Sequence, residues 1–188
     1  MAAAGCWYIF FGLESGNMDV LKKNKISKIP NLEVVRKVVG WCADVGISVK
    51  GSFIIGLPGD TKQTIHETLE FAKSLPLTAV NFSFPVPHPG TEFYDVAMSS
   101  GTFNYEDYNN MSSHSQRPVY APEGISIDWL EKMQKKAYRE YYFRPSFVIR
   151  QIKGINSLED VKRYTKMAYL YAKRVLTPMS FKSASEKS

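Results

Sequence analysis

Three places in this sequence carry residue types suited to binding or chemistry, and each directly follows an apolar run. The central one is Gly51-Ser-Phe-Ile-Ile-Gly-Leu-Pro-Gly-Asp-Thr61. Phe53, Ile54 and Ile55 form an unbroken apolar run with β-branched members, which suits a strand covered on both faces, the habit of parallel sheets. Gly56-Leu-Pro-Gly59 then stops the strand. Pro58 has no N–H for a ladder, Gly59 tolerates φ above zero, and Asp60 or Thr61 can cap the helix that follows. A strand, a glycine turn and a capped helix make a βα unit, and such units bind ligands beyond the carboxyl ends of their strands. The second place is Glu14-Ser15-Gly16, at the end of the strand-forming run Cys6-Trp-Tyr-Ile-Phe-Phe11. A carboxylate there is either a ligand contact or, together with Ser15 and Asn17, part of a helix cap. The third is the turn Pro85-Val-Pro-His-Pro-Gly90.

A phosphate-binding loop is excluded at the central turn. Such a loop ends in Gly, Lys and Ser or Thr, whereas the corresponding residues here are Thr61, Lys62 and Gln63, so only the lysine fits.

The elements that must position these residues follow from periodicity. Gly5 and Gly12 bound the first run, which reads as a buried strand over Trp7 to Leu13. Asn17 to Asn24 makes a short helix. Asn31 caps a better one, whose Val34, Val35, Val38, Cys42 and Val45 recur at helical spacing and which Gly46 ends in a left-handed cap. A second strand covers Val49 to Ile55. Ile65, Leu69 and Ala72 mark the inner side of a helix that Pro76 terminates, and His66 is expected to be exposed and without a role. Ala79 to Phe84 is the third strand. The order β-α-β-α-β with helices between strands demands parallel pairing and right-handed crossovers. The turns at Gly56 to Gly59 and Pro85 to Gly90 then face the same end of the sheet.

Residues 1–98 form this α/β region, 99–125 are polar, aromatic and turn-rich and read as a surface loop, and 126–178 turn helical. In that last region Trp129, Leu130, Met133, Ala137 and Tyr141 line one side before Pro145 breaks the run, and Leu158 to Val175 shows a second amphipathic pattern. Residues 179–188 are a polar tail expected to be disordered. His114 has no neighbour at ligand spacing.

The formal charge of +6, from 24 basic against 18 acidic side chains, is spread without a cluster, so no nucleic-acid partner is expected. Cys6 and Cys42 define neither a disulfide framework nor a zinc site. The longest apolar run, Cys6 to Phe11, falls far short of the ~20 residues that a bilayer crossing needs, and no leader pattern opens the chain; a cytoplasmic location is expected.

Taken together, the Cys6–Gly16 segment, the Gly51–Thr61 segment and Val86-Pro-His-Pro-Gly-Thr91 resemble the second half of a radical S-adenosylmethionine enzyme. They are most similar to the branch with an N-terminal cobalamin-binding domain, which contains the anaerobic magnesium-protoporphyrin ester cyclases and several hopanoid-pathway enzymes. Tyr138-Arg-Glu-Tyr-Tyr-Phe-Arg-Pro145 is similar to the helical C-terminal region of that branch. The resemblance implies a partial TIM barrel, of which the three strands here are the fourth, fifth and sixth of six βα units. It implies that Glu14 contacts the ribose of S-adenosylmethionine beside Ser15. It implies that Ser52, Ile54 and Gly56 hold the adenine through the loose Gly-x-Ile-x-Gly pattern of the fifth strand, and that Pro87 and His88 border the adenine and substrate. Ser52 departs from the first glycine of that pattern, and Gly59 stands where it has an acid.

The largest departure concerns the four-iron four-sulfur cluster. The family holds it through Cys-x-x-x-Cys-x-x-Cys, and this sequence has no such triplet. The resemblance therefore implies the nucleoside-binding and substrate-side half of an enzyme. Its cluster ligands, and any cobalamin-binding domain, would lie in a missing N-terminal half or in a chain that supplies it. The intact enzyme would carry out radical chemistry such as methylation or oxidative cyclisation on a small or lipid-like substrate, and this chain alone is expected to be inactive. The alternative is a non-catalytic α/β module that binds a nucleoside or a partner chain.

Overall fold

The structure, a computed structural model, describes residues 1–105, 117–153 and residue 165. The expectations for His114, for Leu158 to Val175 and for the tail lie outside the described residues. The described chain falls into two compact units, residues 1–137 and residues 138–188.

The first unit is built on a parallel sheet of three strands, β1 (Tyr8–Glu14), β2 (Ser48–Ile54) and β3 (Ala79–Ser83), adjacent in that order. The parallel pairing and the order match the expectation, with strand ends displaced by a residue. Helices α1 (Met18–Lys23) and α2 (Leu32–Asp44) join β1 to β2, and α3 (Lys62–Ser74) joins β2 to β3. Each starts at a side-chain cap: Asn17 Oδ1 accepts from the N–H groups of Asp19 and Val20, Asn31 from Val34, and Thr61 from Thr64. Gly46 takes the left-handed conformation (φ 76°) after α2, as its position predicts.

One face of the sheet is the core. Leu13, Val49, Phe53, Val80 and Phe82 are buried there, with Phe53 stacked on Phe82 at 5.7 Å and edge-on to Phe71 of α3 at 6.4 Å. Gly51 belongs to this row because a Cβ would meet Leu77 at 2.8 Å. The inward face of α2 matches the expected one in part. Val35 and Cys42 are buried as expected, whereas Val34 and Val45 are exposed and Val39 is buried in their place.

The opposite face of the sheet is covered by no described element. It carries Tyr8, Phe10 and Gly12 from β1, Ser48, Lys50, Ser52 and Ile54 from β2, and Ala79, Asn81 and Ser83 from β3, all half-buried or exposed. The first strand is thus not buried on both sides: Phe10 is 55% exposed and Trp7, just before the strand, 74%.

Helix α4 (Glu92–Ser99) follows the proline turn, and β4 (Thr102–Phe103) pairs antiparallel with β5 (Tyr120–Ala121). The stretch 99–125 is therefore not only surface: Val119, Tyr120, Ala121 and Ile125 are buried. Helix α5 (Ile127–Tyr142) follows. Its Gln134 donates 2.7 Å to the carbonyl of Phe82, and its Leu130 packs against Gly56. Pro145 both ends the helical run and opens α6 (Pro145–Lys153), as suits its fixed φ at a first helical position. In the second unit Tyr141, Tyr142 and Phe147 pack ring to ring, and the Arg144 guanidinium lies 4.1 Å from the Tyr141 ring centroid. Among the described residues no helix is long and apolar enough to cross a membrane.

Candidate functional site

Because the strands are parallel, their carboxyl ends share one edge of the sheet, and the loops leaving that edge interlock. Asn24, after α1, donates 2.9 Å to the carbonyl of Pro58 in the β2–α3 turn. Lys25 pairs with Glu92, at the start of α4, at 2.7 Å. The side chain of Lys23 lies where a Cβ on Gly59 would be. The segments holding Glu14, Gly56 and Pro87 are thereby tied to each other at one end of the fold.

Glu14 is unusual in its backbone. The β1–β2 register slips between Gly12 and Glu14, and Glu14 takes φ 61°, which non-glycine residues rarely adopt. Its side chain folds back over Gly12, where Oε1 lies 2.5 Å from the place a Gly12 Cβ would occupy. There it accepts a 2.6 Å bond from the Lys28 ammonium. The pair sits on the uncovered face, level with the row Gly12, Ser52 and Asn81, in which the Asn81 amide reaches the Ser52 hydroxyl at 3.5 Å. A carboxylate, an ammonium, a hydroxyl and a primary amide thus occupy adjacent places beside the carboxyl ends of the strands. Such a set can bind a polyhydroxylated ligand by accepting from its hydroxyls and donating to its ring atoms.

The other sequence-predicted positions behave differently. Ser15 is fully buried; its hydroxyl is 3.1 Å from that of Thr68, which also accepts from the Gly16 N–H at 2.9 Å. A Cβ on Gly16 would stand 2.6 Å from that of Phe71, so this segment is seated against α3. The helix cap is Asn17 rather than Glu14 or Ser15. Ile54 lies on the uncovered face opposite Ser83. Gly56 has φ 90°, and its N–H is taken by the Asp60 carboxylate at 3.0 Å. Pro87 is buried; His88 is exposed, and its carbonyl accepts from the Thr91 hydroxyl at 2.6 Å.

Asp60 closes the central turn, which the sequence alone left as a choice of cap. Besides Gly56 it accepts from the Leu57 N–H at 2.9 Å and the Thr64 hydroxyl at 2.6 Å, while Thr61 caps α3. Burial pushes its carboxyl pKa up, against these hydrogen bonds. Lys28 was missed because nothing in a loop 14 residues from Glu14 marks it as a partner. Asn81 could have been found: in Ala79-Val-Asn-Phe-Ser the apolar Val80 and Phe82 put Asn81 on the opposite face.

The described residues fit the family's groups unequally. The row on the uncovered face suits a nucleoside. An iron–sulfur cluster finds no holder: among the described residues no three His, Cys, Asp or Glu side chains are grouped to hold a metal. Burial, and secondarily Cys6, pushes the Cys42 thiol up, away from the thiolate that ligation needs.

Residues 1–72 match the radical SAM superfamily. An uncharacterized methyltransferase of Pyrococcus horikoshii is 28% identical over 155 residues, 81% of this chain and 32% of the relative. The bacteriochlorophyllide d C-8(2)-methyltransferase of Chlorobaculum tepidum is 27% identical over 58% of this chain and 24% of its own length. The anaerobic magnesium-protoporphyrin IX monomethyl ester cyclase of Rubrivivax gelatinosus is 23% identical over 77% of this chain and 25% of its own. The chain spans about a third or less of the length of these relatives. Over its first 72 residues the chain is thus similar to the radical SAM superfamily, and over more than half of its length to proteins named as methyltransferases and an ester cyclase.

Proposed function

We propose that this chain supplies the nucleoside-binding and substrate-side half of a radical S-adenosylmethionine enzyme that methylates or oxidatively cyclises a small or lipid-like substrate. The observation that carries the reading is the face of the parallel sheet that no described element covers. It sets the Glu14 carboxylate, Ser52 and Asn81 in one row beside interlocked carboxyl-end loops. In this reading the sheet is the last half of a six-unit partial barrel, and its uncovered face looks into the barrel. The exposed Trp7, Tyr8 and Phe10 then meet the preceding strand from a missing N-terminal half, or from a chain that supplies it. The cytoplasm is the compartment that suits such chemistry.

Glu14 accepts from the ribose hydroxyls, the backbone of Ser52 and Ile54 faces the adenine, and the Pro87 turn with His88 borders the substrate. Gly56 contributes by shape, since its N–H is already bonded to Asp60. The cluster, whose ligands this chain lacks, would supply the electron that cleaves S-adenosylmethionine to the 5′-deoxyadenosyl radical; cobalamin, if used, would sit in a separate N-terminal domain. The work of these residues is to hold the nucleoside in place and keep water from it.

Anaerobic reconstitution with iron and sulfide tests this. The 188-residue chain is expected to show neither the charge-transfer absorption of a cluster nor 5′-deoxyadenosine, and to give both once a segment with the three-cysteine motif is supplied. A stoichiometric cluster with turnover in this chain alone would place the chemistry elsewhere. Inactivity with such a segment present would favour a non-catalytic binding module.

A further inference from the structure

We infer that Lys28 is a positioning residue for the nucleoside site, holding the Glu14 carboxylate down on the sheet's uncovered face; the inference rests on the nucleoside reading given above. Three features make a unit of residues 12, 14 and 28. The left-handed backbone of Glu14 (φ 61°) turns its side chain back along the strand rather than out into the loop. Gly12 leaves the space into which it folds: a Cβ there would stand 2.5 Å from Glu14 Oε1 and 2.9 Å from Lys28 Nζ. Lys28, arriving from the loop after α1, closes the arrangement with a 2.6 Å charge-assisted bond.

The exposure of the two partners shows what the pair does. The Glu14 side chain is 17% exposed and that of Lys28 56%, so the lysine stays largely in water while the carboxylate lies against the sheet. A pair so open to solvent adds little to stability, because screening and side-chain entropy offset its attraction. What it does fix is direction. A glutamate has several rotamers, and one ammonium bond to Oε1 selects the one in which the side chain lies over Gly12, level with Ser52 in the neighbouring strand. Holding a carboxylate before the ligand arrives removes an ordering cost from binding. Lys25, the neighbouring cation, is engaged with Glu92 instead, so Lys28 does this alone among the lysines of that loop.

Adenosine titrated into the full 188-residue chain by calorimetry is the probe, with Lys28→Ala, Lys28→Arg, Glu14→Ala and the double variant. Lys28→Ala is expected to weaken adenosine binding roughly three- to tenfold, the reach of one solvent-open ion pair, without moving the thermal midpoint. Lys28→Arg is expected to restore most of that affinity. In the Glu14→Ala background Lys28→Ala should add no further loss, the non-additivity of two residues acting through one group. Equal losses in both backgrounds, or no loss in the wild-type background, would overturn the positioning role while leaving the nucleoside site standing. Wild-type chain that binds no adenosine would instead overturn the nucleoside reading, and the role of Lys28 with it.

Discussion

The two faces of the β1–β2–β3 sheet are made from alternate residues of the same strands, yet they are different surfaces. On one, Val49, Phe53, Val80 and Phe82 are each at most 2% exposed and Phe53 touches two other rings. On the other, Lys50, Ser52, Asn81 and Ser83 alternate with Phe10 and Tyr8, and the Lys50 ammonium lies 5.5 Å from the Phe10 ring centroid. A strand has period two, so each sequence had to satisfy two environments at once. The first face holds the unit together; the second keeps polar groups at places where core packing would exclude them.

The contrast is sharpest at Phe53. Phe53→Ala removes a ring with no exposed surface from the centre of the covered face and is expected to cost ~3–5 kcal/mol in denaturant unfolding. A much smaller loss would mean that this face repacks and is not the core. Next in size is the turn that joins the core to the site. Asp60→Asn disturbs an acceptor of three hydrogen bonds, an expected loss of ~1–3 kcal/mol. The loss should depend on pH with a definite sign. Burial raises the Asp60 pKa in the folded state, so the folded chain holds that proton more tightly than the unfolded chain. The stability it confers is therefore fully present below the unfolded carboxyl pKa of about 3.9 and declines as pH rises through the folded value. Wild-type chain should lead the Asn variant by more near pH 4 than near neutrality. A lead that grew with pH would show that the hydrogen bonds outweigh burial.

Asn17→Ala tests which residue caps the loop behind Glu14. The loss of two accepted N–H groups should cost ~1 kcal/mol, whereas Glu14→Ala should leave the melting curve nearly in place and weaken adenosine binding. The smallest stability effect is expected on the uncovered face. Phe10→Ala should change unfolding free energy by no more than ~0.5 kcal/mol. Its signature lies in sedimentation instead: an exposed apolar strand edge invites association, so Phe10→Ala and Trp7→Ala should shift the chain toward monomer. A large destabilisation by Phe10→Ala would mean that this face is already covered.

The strands, their order and their parallel pairing were legible because apolar runs, caps and glycine turns are local signals. Asn31, Thr61 and Gly46 act where their types and places predict. The end of the sheet on which a site would lie followed from topology alone. The inward side of α2 followed only in part: Val35 and Cys42 are buried as expected, but Val34 and Val45 are exposed while Val39 is buried, because periodicity cannot rank neighbouring apolar positions of one helix. Nor did the interior placement of Val119 to Ala121, because pairing of β5 with β4 joins residues 17 or more positions apart.

At the site the division is the same. The sequence by itself determined that a carboxylate follows the first strand, that a glycine turn follows the second and a proline turn the third, because residue type and chain order set those. Tertiary structure decided what each does. Ser15 faces Thr68 and is closed off, the Gly56 N–H is taken by Asp60, and Glu14 lies over Gly12 under the hold of Lys28. These partners are brought together by a helix packing on a sheet, by a turn closing on itself and by a loop folding back over a strand. Such contacts depend on the three-dimensional path of the backbone, to which residue type at a given position is blind.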